Sequence, residues 1–138
     1  MERVFVDTWA WYSLTDRKDS DHEIAKRANL DLLDRGCTFV TTNYVFSESV
    51  TLIRYKLRHD IAMDFWDKIL ALTESGLLDW VRVTRNQETE AKAIFGRFSD
   101  QDFSFADCAS FAVMREQKIT HAFTGDHHFA AMGFQLIP

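Results

Sequence analysis

Short apolar runs suited to buried strands alternate with longer helical segments along the whole chain, and this alternation constrains the fold more than any other feature of the sequence. Val4, Phe5 and Val6 are consecutive apolar residues, the pattern of a strand covered on both faces rather than wet on one. A short helix is expected from Thr8, a polar stretch over Thr15–Asp21, and a helix from about His22 to Asp34 closed by Arg35-Gly36. Thr38–Val40 reads as a second strand. Asn43 reads as the N-cap of a long helix reaching about Arg58, and Asp60 as the cap of a helix running to Ser75-Gly76. Asp79–Val83 is expected as a third strand, Glu88–Phe98 and Ser104–Gln117 as helices, His121–Thr124 as a fourth strand and Phe134–Ile137 as a fifth. The pattern predicts a three-layer α/β fold with a mainly parallel sheet of four to five strands flanked by helices.

The length of 138 residues fits one domain. An apolar fraction of 46% with 12 Phe and 4 Trp excludes a disordered chain, because so much aromatic area offsets the chain entropy lost on folding. No apolar stretch approaches the roughly 20 residues that cross a bilayer, and the first residues lack the basic start and apolar run of a secretory leader. A cytoplasmic protein with no membrane contact is expected. Cys37 and Cys108 have no CxxC spacing and read as free, buried thiols. The net charge of −5 argues against a broadly basic surface for nucleic acid. A nucleic-acid function then requires that several acids gather in one metal site, where cations cancel their charge.

In open α/β sheets, sites form at the carboxyl ends of the strands. Asp7, directly after Val6, and Asp126, in Thr124-Gly125-Asp126, are therefore the first acids to weigh. Taken singly, Asp7 also reads as a helix N-cap and Asp126 as a turn residue, with Gly125 permitting a tight turn. Glu48 shares a helical stripe with Val45, Leu52 and Tyr55. A carboxylate among apolar neighbours is expected to be desolvated, hence protonated, paired with a cation such as Arg54, or bound to metal. Ser104 and Asp107 have the spacing of a capping box, a role compatible with metal binding because a helix N-terminus favours the ionised acid. Asp102 is either a fifth acid of the site or a solvated loop charge, and Asp100 reads as the latter.

Val6-Asp7-Thr8, the run Thr41-Thr42-Asn43-Tyr44-Val45-Phe46-Ser47-Glu48, the run Asp102-Phe103-Ser104-Phe105-Ala106-Asp107-Cys108 and the run from Ala122 to Phe129 together resemble PIN-domain ribonucleases. The resemblance is strongest to VapC-type toxins of toxin–antitoxin systems, and its order and spacing cover nearly the whole chain. It implies a PIN-like fold and a metal-dependent endoribonuclease that hydrolyses single-stranded RNA. It further implies that Asp7, Glu48, Asp107 and Asp126 are the catalytic acids and hold Mg²⁺ or Mn²⁺, with Thr124 and Thr8 supporting them. A cognate antitoxin and a homodimer follow from the same resemblance, the dimer also from apolar surface expected along Asn43–Ser75. His127 stands where the family pattern has Arg, which puts a basic contact there in question. Oxygen ligands suit Mg²⁺ and Mn²⁺, and metal-assisted hydrolysis needs no nucleophilic side chain.

Arg54 and Arg58, four apart on the expected Glu48 helix, are candidate contacts to the RNA backbone, with solvated helix charges as the alternative. Trp9 and Trp11 either stack on unpaired bases or pack internally. Ser, His and Cys residues show no ordered triad, a joint zinc site at the adjacent His127 and His128 is not expected, and no Gly-rich phosphate loop is present. Two other classes stand beside the nuclease. One is a non-catalytic α/β interaction domain whose acids are caps and ion pairs. The other is a phosphoaccepting receiver-like domain, which would want adjacent acids near the N-terminus and a Lys after a late strand, where this chain has Gly125-Asp126.

Overall fold

The computed structural model describes residues 2–138. In chain order the elements are β1 (Arg3–Val6), α1 (Thr8–Thr15), α2 (His22–Asp34), β2 (Thr38–Thr42), α3 (Asn43–Lys56), α4 (His59–Glu74), β3 (Leu78–Val81), α5 (Arg85–Arg97), α6 (Phe105–Glu116), β4 (His121–Phe123), α7 (His127–Ala131) and β5 (Gln135–Ile137). The strands form one sheet in the order β3-β2-β1-β4-β5, and every neighbouring pair is parallel. Parallel neighbours need long crossovers, which the helices supply. Around the sheet, α1 packs on α2 and α3, α3 on α4, and α5 on α6.

Burial explains the strand sequences. Val4, Phe5 and Val6 are at most 1% exposed, and their uninterrupted apolarity is what a strand covered on both faces requires. Phe5, Phe111, Phe123 and Phe129 are fully buried, each worth roughly 1.5–3 kcal/mol relative to exposure, and Phe129 joins Phe5 to Phe111 through tilted and edge contacts. Cys37 and Cys108 are free and buried, as expected. Among the described residues no helix is long and apolar enough to cross a membrane.

Several boundaries differ from expectation, each for a local reason. β2 extends to Thr42, and Thr42 rather than Asn43 caps α3, its Oγ1 accepting from Val45 N at 3.1 Å. Asn43 instead holds the loop after β3 by accepting from Val83 N at 2.9 Å. α3 ends at Lys56, so Arg58 lies outside it as the residue preceding α4, and Asp60 sits in that helix's first turn rather than capping it. α5 begins at Arg85 rather than Glu88 because Thr84 and Gln87 form a reciprocal capping box. The short α7 had no counterpart in the sequence reading.

From β1 the chain winds outward through β2 to β3, then crosses back to β4 on the other side of β1. β1 and β4 therefore flank the point where the winding direction reverses, and sites in open α/β sheets form beyond the carboxyl ends of strands at such a point. Asp7 and the Thr124–Asp126 segment lie there.

Candidate metal centre

Asp7 begins α1 with its backbone, the carbonyl accepting from Ala10 N and Trp11 N, but its carboxylate makes no capping bond. The N-cap role thus belongs to the main chain and leaves the side chain, in a residue 5% exposed, for other partners. Thr124, itself fully buried, donates from Oγ1 to Asp7 Oδ2 at 3.0 Å and accepts from Asp126 N at 3.0 Å. This hydroxyl ties the two strand-end acids together. Asp126 also caps α7, with Oδ1 accepting from His128 N at 3.0 Å. The glycine between them is explained by close approach rather than by turn conformation. A Cβ on Gly125 would stand 2.5 Å from Trp9 Cε2.

Glu48 is not desolvated, contrary to expectation. It lies on the exposed side of α3 beside Tyr55, which is 78% exposed, and borders an open hollow of about 760 Å³ shared with Tyr44, Leu52 and Phe105. Of the apolar stripe at Glu48, Val45 is buried in the core, whereas Leu52 and Tyr55 border the hollow. Its carboxylate Oε1 accepts from Thr8 Oγ1 at 2.5 Å, and Ser49 Oγ supports Thr8 from 3.3 Å. Arg54 contacts His59, not Glu48.

Asp107 fulfils the capping box of α6 in both directions. Its N–H donates to Ser104 Oγ at 3.0 Å, and its Oδ2 accepts from Ser104 N at 3.1 Å. The same Oδ2 faces His128 Nδ1 at 3.1 Å, and Nδ1 is 3.3 Å from Asp126 Oδ1. Asp107, Asp126 and His128 can thus present ligand atoms all within 4.8 Å of one another. In sequence, His128 is weighed only together with His127, as a joint zinc site that is not expected. Its position two residues after Asp126 was the available signal, but the contact with Asp107 depends on how α6 and α7 meet.

Electrostatics joins the acids. Burial, reinforced by the nearby charges of Asp107 and Glu48, pushes the Asp7 carboxyl up to about 7 against the opposing pull of the Thr8 amide and Thr124 hydroxyl. Asp107 is also raised, first by burial and then by Asp126, while the Ser104 amide and His128 work the other way. Crowded, partly buried carboxylates of this kind fit a hard divalent cation, which would relieve both their desolvation and their repulsion.

The remaining sequence candidates lie further out. Asp102 and Asp100 are exposed loop residues outside the Asp107 cluster. Arg58 pairs with Asp60 at 2.8 Å and borders a separate hollow of about 710 Å³ walled by Trp11, Phe65 and Ile69. Trp11 is 8% exposed and donates from Nε1 to Thr41 Oγ1 at 3.3 Å, so it packs internally. Trp9 is half-buried, its ring 6.5 Å from that of Phe123.

Comparison with known proteins matches residues 4–135 to the PIN domain family. The chain is 32% identical over 131 residues to the 23S rRNA-specific endonuclease VapC20 of Mycobacterium tuberculosis, with 95% of each chain aligned. The crystal structure of that VapC20, described as a sarcin-ricin loop cleaving toxin, superposes with a TM-score of 0.82, again covering 95% of each chain. VapBC2 from Rickettsia felis, bound to a DNA fragment from its promoter, superposes with a TM-score of 0.69 at 12% identity, covering 97% of this chain and 96% of the other. That second likeness is one of fold alone.

Proposed function

The chain belongs to the PIN domain family, and from that premise we propose that it is a single-domain, Mg²⁺- or Mn²⁺-dependent endoribonuclease that cuts single-stranded RNA as the toxin of a toxin–antitoxin pair. The observation that carries this reading is the buried Asp7 carboxyl at the end of β1, tied through Thr124 to Asp126 beyond β4 and raised to about 7 first by burial and then by the nearby charges of Asp107 and Glu48. The substrate class follows the 23S rRNA specificity in the name of the VapC20 relative.

The acids named would hold the ion. When bound, such an ion acidifies water and neutralises charge gathering on the scissile phosphate. The chain's own contribution is placement. Thr124 fixes Asp7, Thr8 fixes Glu48, and the Ser104 amide fixes Asp107, so these carboxylates would hold an ion with little reorganisation. The Asp7 carboxyl, raised by burial, would be held in its ionised form by such an ion. No side-chain nucleophile takes part.

The capping geometry of Asp107 and Asp126 is what a non-catalytic interaction domain would also show. Asp7 separates the two readings, because its buried carboxylate caps nothing. The partners are RNA, a cognate antitoxin as the resemblance to VapC-type toxins implies, and a second copy that covers apolar side chains exposed on α3 and α4 such as Tyr55, Met63 and Trp66. The setting is the cytoplasm. Incubation of a mixed RNA pool with and without Mg²⁺, with Asp7→Asn as control, tests the reading. Metal-dependent fragments from the parent and none from the variant are expected, and equal fragments from both remove the site.

A further inference from the structure

His128 reaches the acids from α7, and its Nδ1 faces two carboxylate oxygens, Asp107 Oδ2 at 3.1 Å and Asp126 Oδ1 at 3.3 Å. A nitrogen facing two acceptors carries the hydrogen, so the ring bridges α6 to α7. The bridge is rigidly seated. The side chain is 17% exposed, and Phe103 packs edge-on against it with centroids 5.3 Å apart. The oxygens that His128 faces are also those engaged by the main chain, since Asp107 Oδ2 accepts from Ser104 N and Asp126 Oδ1 from His128 N. Asp107 Oδ1 and Asp126 Oδ2 take no hydrogen bond from the described residues.

We propose that His128 is a positioning residue, not a ligand, whose bridge holds Asp107 and Asp126 together and turns their free oxygens toward a divalent cation. The inference rests on the reading above that these acids hold metal. Without the bridge, two like charges on separate helices lose the donor between them and move apart. Partners that orient ligands in this way typically govern metal affinity by 10–100-fold.

The test uses the purified full chain, Mn²⁺ alone as probe, and the variants His128→Ala and His128→Asn, with circular dichroism to verify the fold. The Asn amide can place an N–H close to where Nδ1 stands. Calorimetry is expected to show Mn²⁺ binding weakened on the order of tenfold in His128→Ala and within a few-fold of the parent in His128→Asn. RNA cleavage by His128→Ala should need correspondingly more ion but approach the parental rate at saturation. Parental or tighter affinity in His128→Ala overturns the proposal, as does a tenfold loss in folded His128→Asn, which carries the test if the Ala variant does not fold. A parent that binds Mn²⁺ and cuts RNA beside an unaffected His128→Ala removes this proposal alone. A parent that neither binds Mn²⁺ nor cuts RNA removes the metal reading as well.

Discussion

Asp7 and Glu48 belong to one acidic centre but are confined to very different degrees. Asp7 is 5% exposed at the end of the central strand, gripped by a fully buried Thr124. Glu48 stands on the exposed side of α3, joined to the rest by Thr8. The strand-end acid carries a desolvation cost that lifts its carboxyl to about 7, and the helical acid borders open water. Thr8, adjacent to Asp7 in sequence, is the hydroxyl that reaches Glu48, so the confined half orients the open half. A cation held by both, as proposed, would meet a rigid carboxylate from Asp7 and an adaptable one from Glu48.

The strongest challenge to this contrast is to remove charge without removing shape. Asp7→Asn and Asp107→Asn are each expected to lower RNA cleavage in saturating Mg²⁺ by at least about 100-fold, beyond the usual effect of losing a ligand's partner, with circular dichroism unchanged. For Asp107 the outcome is decisive, since a purely capping role predicts a stability loss of about 1 kcal/mol or less with cleavage intact.

The confined half should also give the chain an unusual pH response once metal is stripped with a chelator. Because the folded Asp7 carboxyl sits near 7 and the unfolded one near 3.8, the native state holds a proton that the unfolded state has released between those values. The stability contributed by Asp7 is therefore present at about pH 4 and is lost as pH rises toward 7, the reverse of an ordinary ion-paired Asp. Metal-free melting curves at pH 5 and pH 8 should differ more in the parent than in Asp7→Asn, and the gap should close when Mg²⁺ is restored. Equal pH dependence in parent and variant would show that Asp7 is not confined as described.

The sheet and the strand-end acids were legible in the sequence because each depends on short-range patterns. Val4-Phe5-Val6 before Asp7 states both a buried strand and where it stops, and Ser104-x-x-Asp107 states its own cap. Glu48 was placed on the correct helix but with the wrong solvent exposure, because the stripe it shares runs from Val45 in the core to Tyr55 at the hollow, and spacing alone does not say where along it the surface begins. His128 and the role of Gly125 were not legible. One depends on the meeting of α6 and α7, the other on the Trp9 ring arriving from α1, and such contacts between distant segments have no local signature.

The two threonines measure the same contrast at lower amplitude. Thr124→Val removes a hydroxyl that donates to Asp7 and accepts from Asp126 N in a fully buried place, so a loss of about 1–3 kcal/mol is expected from the unsatisfied partners. Thr8→Val removes a donor that water can replace at the exposed Glu48 carboxylate, but also the acceptor of the buried Ser49 hydroxyl, and a smaller loss of about 1 kcal/mol is expected. Urea unfolding of the metal-free variants ranks them. A larger loss for Thr8→Val would reverse the assignment of confined and open halves.

The smallest effects belong to the two exposed arginines, Arg54 on α3 and Arg58 just before α4. Arg58 and Asp60 form an ion pair whose side chains are 68% and 66% exposed, a type that contributes about 0–1 kcal/mol, so Arg58→Gln should leave the melting temperature nearly unchanged. Their proposed use is contact with RNA phosphates, and salt dependence isolates that use from base recognition. Each phosphate neutralised on a single strand contributes roughly 0.7 to the slope of log affinity against log salt. Arg54 contacts a histidine, whereas Arg58 already faces a carboxylate. Arg54→Gln should therefore reduce the slope by about that amount, and Arg58→Gln by less, because Asp60 competes with phosphate for the same guanidinium. Filter binding of single-stranded RNA between about 50 and 200 mM salt, in the non-cleaving Asp7→Asn background, reads both. Unchanged slopes in both variants would return Arg54 and Arg58 to the solvated surface and leave the approach of RNA to the hollow beside Glu48.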